Sequence, residues 1–380
     1  MLKIKPKKVL VIVVLLGLSI IVFPSITRQN GMDYTYNPLL ETVNTNPDWQ
    51  GTPIDASGRF VNLHEPFESD LTDLIRWRLS SNPFREQKEQ DTRRLEVVMN
   101  NEMFDSTDDK IVWLGHASFF IQIGGIRILT DPVFLPNMFL ERFSDLPFHP
   151  DSIRNIDYVL LSHNHRDHID KSTLEFLYEK MPDIEILTGL NMASLLQRWM
   201  PDVAVQEAGW YQKYTLDENG PEIIFTPARH WTRRGMFDEN LRLWGGFFIR
   251  YHDTTIYFMG DSGYTRHFAE IREVLGDVDY ALMGVGAFEP QWFMEPVHIS
   301  PLDAIKGFRE LGGKYFIPMH YGTFDLSDEP LLHPLDVLKS EDLPELVALK
   351  VGEELLIEGE RISNSIAKST VRSVADQKVS

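Results

Sequence analysis

The 380-residue chain carries 37 Lys and Arg against 56 Asp and Glu, which gives a net charge of −19 at pH 7. Its hydrophobic fraction of 43% is typical of a globular protein, and the absence of cysteine excludes disulfides, thiolate catalysis and thiolate metal ligands. A surface this acidic repels phosphate backbones, so we expect no nucleic-acid partner.

The N-terminal residues 1–26 combine a basic start with an apolar run. Four lysines precede an uncharged run from Val9 to Phe23, a pattern that predicts a signal anchor or a cleaved signal peptide. A spanning helix needs about 20 apolar residues, and this run reaches that length only when Ser25 to Thr27 are included. By the positive-inside rule, the membrane-anchored chain would then lie on the non-cytoplasmic side, periplasmic or extracellular in a bacterium.

The rest of the chain divides into an extension, a main domain and a tail. Residues 27–108 are polar and rich in turn formers, which predicts an extension packing on the main domain, with one amphipathic helix at Leu71–Leu79. Residues 109–359 alternate short apolar strands with helices, which predicts sheet layers covered by helices, and the polar residues 360–380 are predicted to be disordered. The predicted strands are Ile111–Gly115, Ser118–Ile123, Arg127–Thr130, Tyr158–Ser162, Ile184–Gly189, Glu222–Ala228, Gly245–Tyr251, Thr255–Gly260, Asp279–Gly284 and Lys314–His320, and the predicted helices are Lys171–Lys180, Met192–Met200, Tyr264–Leu275 and Pro301–Leu311.

The segment DYVLLSHNHRDHID runs from a predicted buried strand straight into ionisable residues. An uncompensated imidazole or carboxylate in a core costs on the order of several kcal/mol, so these side chains need a binding partner. The loop offers His163, His165, Asp167 and His168. Because neutral imidazole and carboxylate are ligands of Zn²⁺ and its first-row neighbours, the sequence predicts a metal site here.

Three more ionisable residues stand where an apolar strand becomes a turn. They are His230 in FTPARHW, Asp261 in YFMGDSGY and His320 in YFIPMHYGTF. Each alone is compatible with an ordinary hydrogen-bonded residue at a strand end. The repetition of the pattern indicates that these residues meet the histidine loop at one site.

The set HNHRDH, His230, Asp261 and His320, in that order, resembles the metallo-β-lactamase fold superfamily with its H-x-H-x-D-H site. The sequence around these residues resembles, within that superfamily, the N-acyl-phosphatidylethanolamine-hydrolysing phospholipase D family. The similar segments are WLGHASFFIQIGGIRILTDPVF, LLSHNHRDHID, PARHWTRRG, LWGGFFI, IYFMGDSGY, EPVHISPLDAIKGF and MHYGTFDLSDEPL, spanning roughly Ile111 to Leu331.

The resemblance implies an α/β (α+β) fold, the αββα four-layer sandwich of this superfamily. It also implies two divalent metal ions, with Zn²⁺ as the default for His and Asp ligands and iron or manganese as alternatives. One ion would be held by His163, His165 and His230, the other by Asp167, His168 and His320, and both by Asp261.

The catalytic candidates are Asp261, Asp167 and His298. His298 in EPVHISP precedes a predicted helix, where it would contact phosphate, donate a proton or act only as a cap or surface residue. His116 in WLGHAS and Asp131 in LTDPVF also end strands. Because ligating histidines usually donate their free N–H to a carboxylate or carbonyl, Asp131 is predicted to lie behind a ligand, and His116 is predicted to support the ligands in the same way. A buried Asp that caps a turn is the alternative for Asp131.

The segment DPVFLPNMFLERFSDLPFHP is unusually aromatic and apolar for a loop beside a metal site. Together with aromatic residues elsewhere it predicts a groove for acyl chains or a face toward a bilayer, while ordinary core packing is the alternative for each residue alone. The predicted groove residues are Phe139, Phe143, Phe148, Trp231, Trp244, Trp292 and Phe293.

The resemblance implies a binuclear-metal phosphodiesterase similar to phospholipase D, which hydrolyses N-acyl-phosphatidylethanolamine or a related glycerophospholipid to phosphatidic acid and the head-group alcohol. The expected partners are the phospholipid substrate and a membrane, and a homo-oligomer is compatible with the sequence. The main alternative is a metal-dependent hydrolase of a small phosphorylated lactone or ester, similar to ascorbate-6-phosphate lactonase. A non-catalytic, metal-stabilised surface protein is a further alternative, against which the complete ligand set argues.

Overall fold

The computed structural model describes residues 25–29, 32–67, 70–136, 138 and 140–357. Within these residues the chain forms one three-stranded sheet and two seven-stranded sheets. The strands in chain order are β1 Ser25–Gln29, β2 Met32–Tyr36, β3 Glu41–Thr42, β4 Thr52–Ile54, β5 Lys110–Gly115, β6 Ser118–Ile123, β7 Ile126–Thr130, β8 Tyr158–Leu161, β9 Glu185–Gly189, β10 Ala204–Ala208, β11 Gln212–Lys213, β12 Glu222–Thr226, β13 Gly246–Tyr251, β14 Thr254–Phe258, β15 Tyr280–Gly284, β16 Tyr315–Met319 and β17 Glu354–Leu356. The helices are α1 Leu71–Leu79, α2 Arg85–Gln90, α3 Lys171–Lys180, α4 Ala193–Leu196, α5 His267–Leu275, α6 Gln291–Met294, α7 Pro301–Glu310 and α8 His333–Ser340.

The two large sheets form the body of the main domain. The first has the order β10-β9-β8-β7-β6-β5-β17, and its strands β7 to β10 are parallel. The second has the order β16-β15-β14-β13-β12-β11-β3, and its strands β14 to β16 are parallel. Because parallel neighbours end at the same edge of a sheet, each sheet presents several strand-end loops together at one edge.

Alternating side chains along the strands separate two cores. In β5, Ile111 and Trp113 belong to the core between the sheets, whereas Val112 and Leu114 belong to the core beneath α3 and α4. This is the period of two that a strand buried on both faces requires. On the other side, Phe308 of α7 packs against the second sheet. The four layers form the αββα sandwich, so the predicted fold class is confirmed.

The N-terminal extension contributes to the main domain in several places. Strand β3 pairs with β11 at the edge of the second sheet, and Phe60 is only 1% exposed within the core between the sheets. The helix predicted at Leu71–Leu79 is present as α1. Helix α1 buries none of its own residues, but its Trp77 ring stacks on Phe293 of α6 with 5.1 Å between ring centroids.

The prediction of an N-terminal membrane anchor is wrong. Ser25 to Thr27, which a spanning helix needed for its length, lie in β1, and β1 pairs antiparallel with β2. Among the residues that the structure describes, no helix is both long enough and apolar enough to cross a membrane. The predicted non-cytoplasmic location depended on the anchor and is corrected with it. Residues 1–24 of the predicted anchor and the predicted tail, residues 360–380, lie outside the described residues.

Two predicted helices differ in length from those observed. The helix predicted over Met192–Met200 is reduced to α4, and the residues after it form turns, with Trp199 N and Met200 N both donating to Leu196 O at 2.9 Å. The helix predicted from Tyr264 begins at His267 instead, because the Thr265 hydroxyl pairs with the His267 ring at 2.5 Å. Such local side-chain bonds compete with helix formation. Helix α3 has the predicted bounds.

Candidate metal centre

The predicted ligands lie at strand ends along one edge of the two sheets. Their positions draw on both sheets, so the site forms only where the sandwich is assembled. His116 follows β5, Asp131 follows β7, the loop from His163 to His168 follows β8, His230 follows β12, Asp261 follows β14 and His320 follows β16.

The donor atoms form two groups of four, in each of which all atoms lie within 4.8 Å of one another, and two overlapping groups of three: Asp131, His163 and His168, and Asp261, His298 and His320. Asp261 belongs to the first group and also adjoins the second, because its Oδ2 is 3.1 Å from His168 Nε2 and its Oδ1 is 3.1 Å from His320 Nε2. The structure therefore brings all predicted ligands together. The first group, termed the three-histidine group, is His163, His165, His230 and Asp261; the second is His116, Asp167, His168 and His320.

The arrangement of the ring nitrogens in the three-histidine group suits ligation of a metal ion better than hydrogen bonds among the rings. His165 Nδ1 lies 3.0 Å from His163 Nε2 and 3.1 Å from His230 Nε2. Two ring nitrogens can share one proton, but three converging nitrogens cannot all be satisfied by one another. A divalent cation satisfies all three, and imidazole with carboxylate is a donor set suited to Zn²⁺ and neighbouring metals.

Two carboxylates balance the histidines of the centre. Burial alone would raise the pKa of Asp167 and Asp261, but the neighbouring His168 and other rings hold both pKa values well below the usual range. Burial lowers the pKa of His163 far below its usual value. Burial also acts against a charged His320, yet Asp261 and Asp167 raise its pKa to about 9. Neutral imidazole is the form that binds metal, so loading this centre would release protons.

Asp131 lies directly behind His168. Its Oδ2 is 2.7 Å from His168 Nδ1 and accepts from Ser162 Oγ at 2.5 Å, while its Oδ1 accepts from Ser162 N at 2.8 Å. These contacts fix the ring so that His168 Nε2 faces Asp261. His116 lies closer to the ligands than expected, with its Nε2 3.1 Å from Asp167 Oδ2.

Replacing Asp131 with asparagine should weaken metal binding at the second group by about 10- to 100-fold. The asparagine amide can turn an N–H toward His168 Nδ1, which favours the His168 tautomer that carries its proton on Nε2. If the amide oxygen faces His168 instead, one Ser162 contact is lost. The measurement is Zn²⁺ affinity by competition with a chelator. Asp277→Asn, at a side chain that is 70% exposed, is the matched control. Equal affinities of the Asp131 variant and the control would contradict this role.

Left-handed backbone recurs at the strand ends of the centre. His116, Asp131 and His320 have φ values of 53°, 33° and 64°, a region that costs a non-glycine residue about 1–2 kcal/mol. Gly286 permits the turn at His320, since a Cβ there would lie 2.0 Å from His320 O. Backbone strain of this kind is characteristic of functional sites held by their surroundings.

His298 lies beside Asp261 at the entrance to the centre. Its Nδ1 is 3.8 Å from Asp261 Oδ2, and its ring centroid is 5.3 Å from those of His230 and His320. Its side chain keeps 17% exposure, as against 2% for Asp261. Burial lowers the pKa of His298 to about 4, so the ring is neutral near pH 7.

The predicted groove residues divide into core and rim positions. Phe148 is 2% exposed and packs edge-on against Phe104 and Phe134, so the groove prediction is corrected for this residue. Trp244 is likewise wrong, since it is fully buried and its Nε1 donates to Ala228 O. Both follow the alternative of ordinary core packing.

The remaining groove candidates are not fully buried. The Trp231 ring lies 5.0 Å from that of His165, and Trp292 on α6 is 44% exposed. Phe293 on α6 and Phe143, which has Arg94 over its ring, are half-buried. Phe139 lies outside the described residues.

Sequence reasoning missed three residues that support the ligands. Ser162 connects Asp131 to the histidine loop, Thr323 Oγ1 accepts from His116 N at 2.8 Å, and Arg234 contacts the loop backbone. Ser162 stands directly before HNHRDH, and Arg234 is the second arginine of HWTRRG. Both positions were visible in the sequence, but their partners are distant along the chain.

Comparisons with known proteins agree with the fold. The family described as "Beta-lactamase superfamily domain" matches residues 126–321. The chain is 30% identical to N-acyl-phosphatidylethanolamine-hydrolyzing phospholipase D 1 of Caenorhabditis elegans over 266 residues, 63% of this chain and 74% of that protein. It is 31% identical to the mitochondrial N-acyl-phosphatidylethanolamine-hydrolyzing phospholipase D of Saccharomyces cerevisiae, covering 60% of this chain and 50% of that protein. A metallo hydrolase from the archaeon Ignicoccus hospitalis superposes with a TM-score of 0.52 and 22% identity, over 67% of this chain and all of that one.

The fold and the donor set together define a metal-dependent hydrolase. The two sheets, the strand-end ligands and the family match are mutually consistent. The chain belongs to the β-lactamase superfamily domain family and has the metallo-β-lactamase fold.

Proposed function

We propose that the chain hydrolyses the phosphodiester of a glycerophospholipid, with N-acyl-phosphatidylethanolamine as the first candidate, to phosphatidic acid and the head-group alcohol. Two relatives of about 30% identity carry that activity in their names. The observation that carries the proposal is the place of Asp261 between two donor groups. Two ions held in this way suit an in-line displacement at phosphorus.

The proposed ligands of one ion are His163, His165 and His230, those of the other are Asp167, His168 and His320, and Asp261 is shared. Bound divalent ions, with Zn²⁺ as the default, would supply Lewis acidity and a water of lowered pKa. The residues themselves hold the ions in place and balance their charge. These imidazole and carboxylate ligands suit a metal-dependent phosphoesterase, which needs no nucleophilic serine or cysteine.

Two polar side chains of the centre face the entrance and are proposed to meet the substrate. Asp167 keeps 16% exposure and His298 keeps 17%, whereas His163 and His230 keep 1% or less. A neutral imidazole at His298 can donate one hydrogen bond to a phosphoryl or leaving-group oxygen. Asp167 carries negative charge at the same entrance. This charge attracts the metal ions and repels free phosphate.

The aromatic residues beside the entrance are proposed to contact the acyl chains. Trp231 adjoins His165. Helix α6 carries Trp292 and Phe293, and His298 follows it, with His298 N donating to Met294 O at 2.8 Å. An exposed tryptophan close to a reacting site gives apolar substrate a surface to cover. Phe143 is proposed to belong to the same rim, because its N–H donates to Thr323 O at 2.8 Å and Thr323 contacts His116.

The test uses the full chain, loaded with Zn²⁺, on mixed micelles of N-acyl-phosphatidylethanolamine and phosphatidylethanolamine. Products are identified by mass spectrometry. We expect phosphatidic acid from the wild type and none above background from the metal-free protein. Metal-loaded protein that leaves both lipids intact would contradict the proposal, and turnover of a small phosphorylated lactone or ester would then replace it.

A further inference from the structure

Arg234 connects the two loops that supply the three-histidine group. It follows His230 by four residues in the loop after β12, and its Nη1 donates to Asn164 O at 3.1 Å and to Ile169 O at 3.0 Å. These two carbonyls flank the ligand segment from His165 to His168. One guanidinium from the second sheet therefore holds both ends of the ligand segment of the first sheet.

The base of the Arg234 side chain is itself fixed. Asp238 Oδ1 accepts from Arg234 N at 3.1 Å and from Gly235 N at 2.6 Å, and Asp238 Oδ2 accepts from Arg242 at 2.7 Å. The guanidinium carbon lies 4.9 Å from the centre of the Trp199 ring. The Arg234 side chain has little freedom, because its backbone, its contact with the Trp199 ring and its two bonds to carbonyls are all fixed. It can therefore hold one loop in place relative to the other.

The two loops that Arg234 connects carry His165 and His230. Their facing nitrogens are 3.1 Å apart, although the rings come from loops of different sheets. The His230 backbone is held on its other side by Asn62, which exchanges hydrogen bonds of 2.9 and 3.0 Å with its N–H and carbonyl. A metal site tolerates displacements of only about 0.5 Å in its ligands, so a bond across the two loops sets whether the three nitrogens can share one ion.

We propose that Arg234 is a positioning residue that sets the affinity of the three-histidine group for its metal ion. The inference rests on the metal centre of the proposed function. Lysine is a poor replacement, because its Nζ stands one bond closer to the backbone than the Nη1 that serves both carbonyls, and an ammonium has no planar face to lie against the Trp199 ring. The loss of a group that supports ligands lowers metal affinity by about 10- to 100-fold, and we expect Arg234→Lys to show a loss of this size.

The experiment measures Zn²⁺ affinity and stoichiometry of the full chain by chelator competition, with thermal unfolding of the metal-free protein beside it. The Arg234→Lys variant is compared with Arg233→Lys, at the neighbouring side chain, which is 35% exposed. We expect one of two ions to bind 10- to 100-fold more weakly in Arg234→Lys, with an unfolding midpoint like that of the control.

Two double variants, in which Arg234→Lys is combined with loss of one ligand, identify which ion is affected. In His320→Ala, which keeps the three-histidine group, Arg234→Lys should weaken the remaining ion by the same factor. In His230→Ala, which disrupts that group, Arg234→Lys should have no further effect. This pattern of coupling is the signature of a shared site, and a residue that only stabilised the fold would not produce it.

Three outcomes would overturn the inference or its basis. Unchanged Zn²⁺ affinity in Arg234→Lys would remove the positioning role. Equal weakening of both ions with a lowered unfolding midpoint would make Arg234 a residue of the fold alone. A wild type that binds fewer than two ions would refute the proposed centre itself, so this failure is separate from that of Arg234.

Discussion

Replacing Asp261 with asparagine is expected to remove at least one metal ion and to lower kcat/KM by about 10³-fold or more. Asp261 is the carboxylate that both donor groups approach, with His168 Nε2 and His320 Nε2 each 3.1 Å from one of its oxygens. The amide keeps the shape of the side chain but removes its charge and one acceptor oxygen. Two divalent ions would then lie close together without the carboxylate that shares their charge.

The measurement for Asp261→Asn pairs metal content by mass spectrometry with phospholipid turnover. The matched control is Asp277→Asn, the same chemical change at an exposed side chain that pairs with Arg272. We expect the control to retain two ions and wild-type turnover. If Asp261→Asn also kept both ions and its rate, Asp261 would have no bridging role.

The sequence predicts the ligands because each one ends an apolar strand. In YVLLSHNHRDH and YFMGDS the apolar run and the ionisable residue are adjacent, so the burial of the strand fixes the position of the residue that follows. Both strands, β8 and β14, are parallel to neighbours that end at the same edge. A local pattern combined with one topological rule therefore gathers the ligands of each sheet at one edge, and the packing of the two sheets then brings His163 Nε2 to 3.7 Å from Asp261 Oδ2.

Other features of the centre depend on contacts that no local pattern contains. Arg234 Nη1 reaches Asn164 O across 70 positions of the chain, and β3 completes the second sheet from far outside the main domain. Phe148 and Trp244 resemble the partly exposed groove candidates in residue type, and only the packing of the sandwich places them inside. Left-handed backbone at His116 was equally invisible, because positive φ is uncommon even for histidine, which adopts it more often than most residues do.

The assembly of the centre from both sheets also explains why its supports are polar. His165 and His230 come from different sheets, and apolar packing between sheets is not directional enough to fix two nitrogens 3.1 Å apart. Directional bonds from Asp131, Asn62 and Arg234 provide the missing precision. Buried polar groups arranged in this way specify one geometry when all of them are satisfied.

Replacing His298 with asparagine is expected to lower kcat by about 10²- to 10³-fold while both metal ions remain bound. The ring stands 3.8 Å from Asp261, outside the two groups of proposed ligands, and its side chain is 17% exposed where substrate enters. The shorter asparagine amide would not reach the oxygen to which the imidazole N–H donates. The loss should therefore appear in turnover and leave metal content unchanged.

The contrast between His298→Asn and Asp261→Asn separates the reaction from the metal centre. Metal content and kcat are measured for both variants and for His252→Asn, a control at an exposed hairpin position whose φ of 50° asparagine accepts readily. A kcat loss in His298→Asn with two ions bound places the imidazole at the substrate. Loss of an ion in this variant would make His298 a ligand, and wild-type kcat would reduce it to a residue of the turn before α7. Since burial lowers the pKa of His298 to about 4, its ring is neutral at assay pH, and a neutral ring acts by donating one hydrogen bond where phosphoryl charge develops.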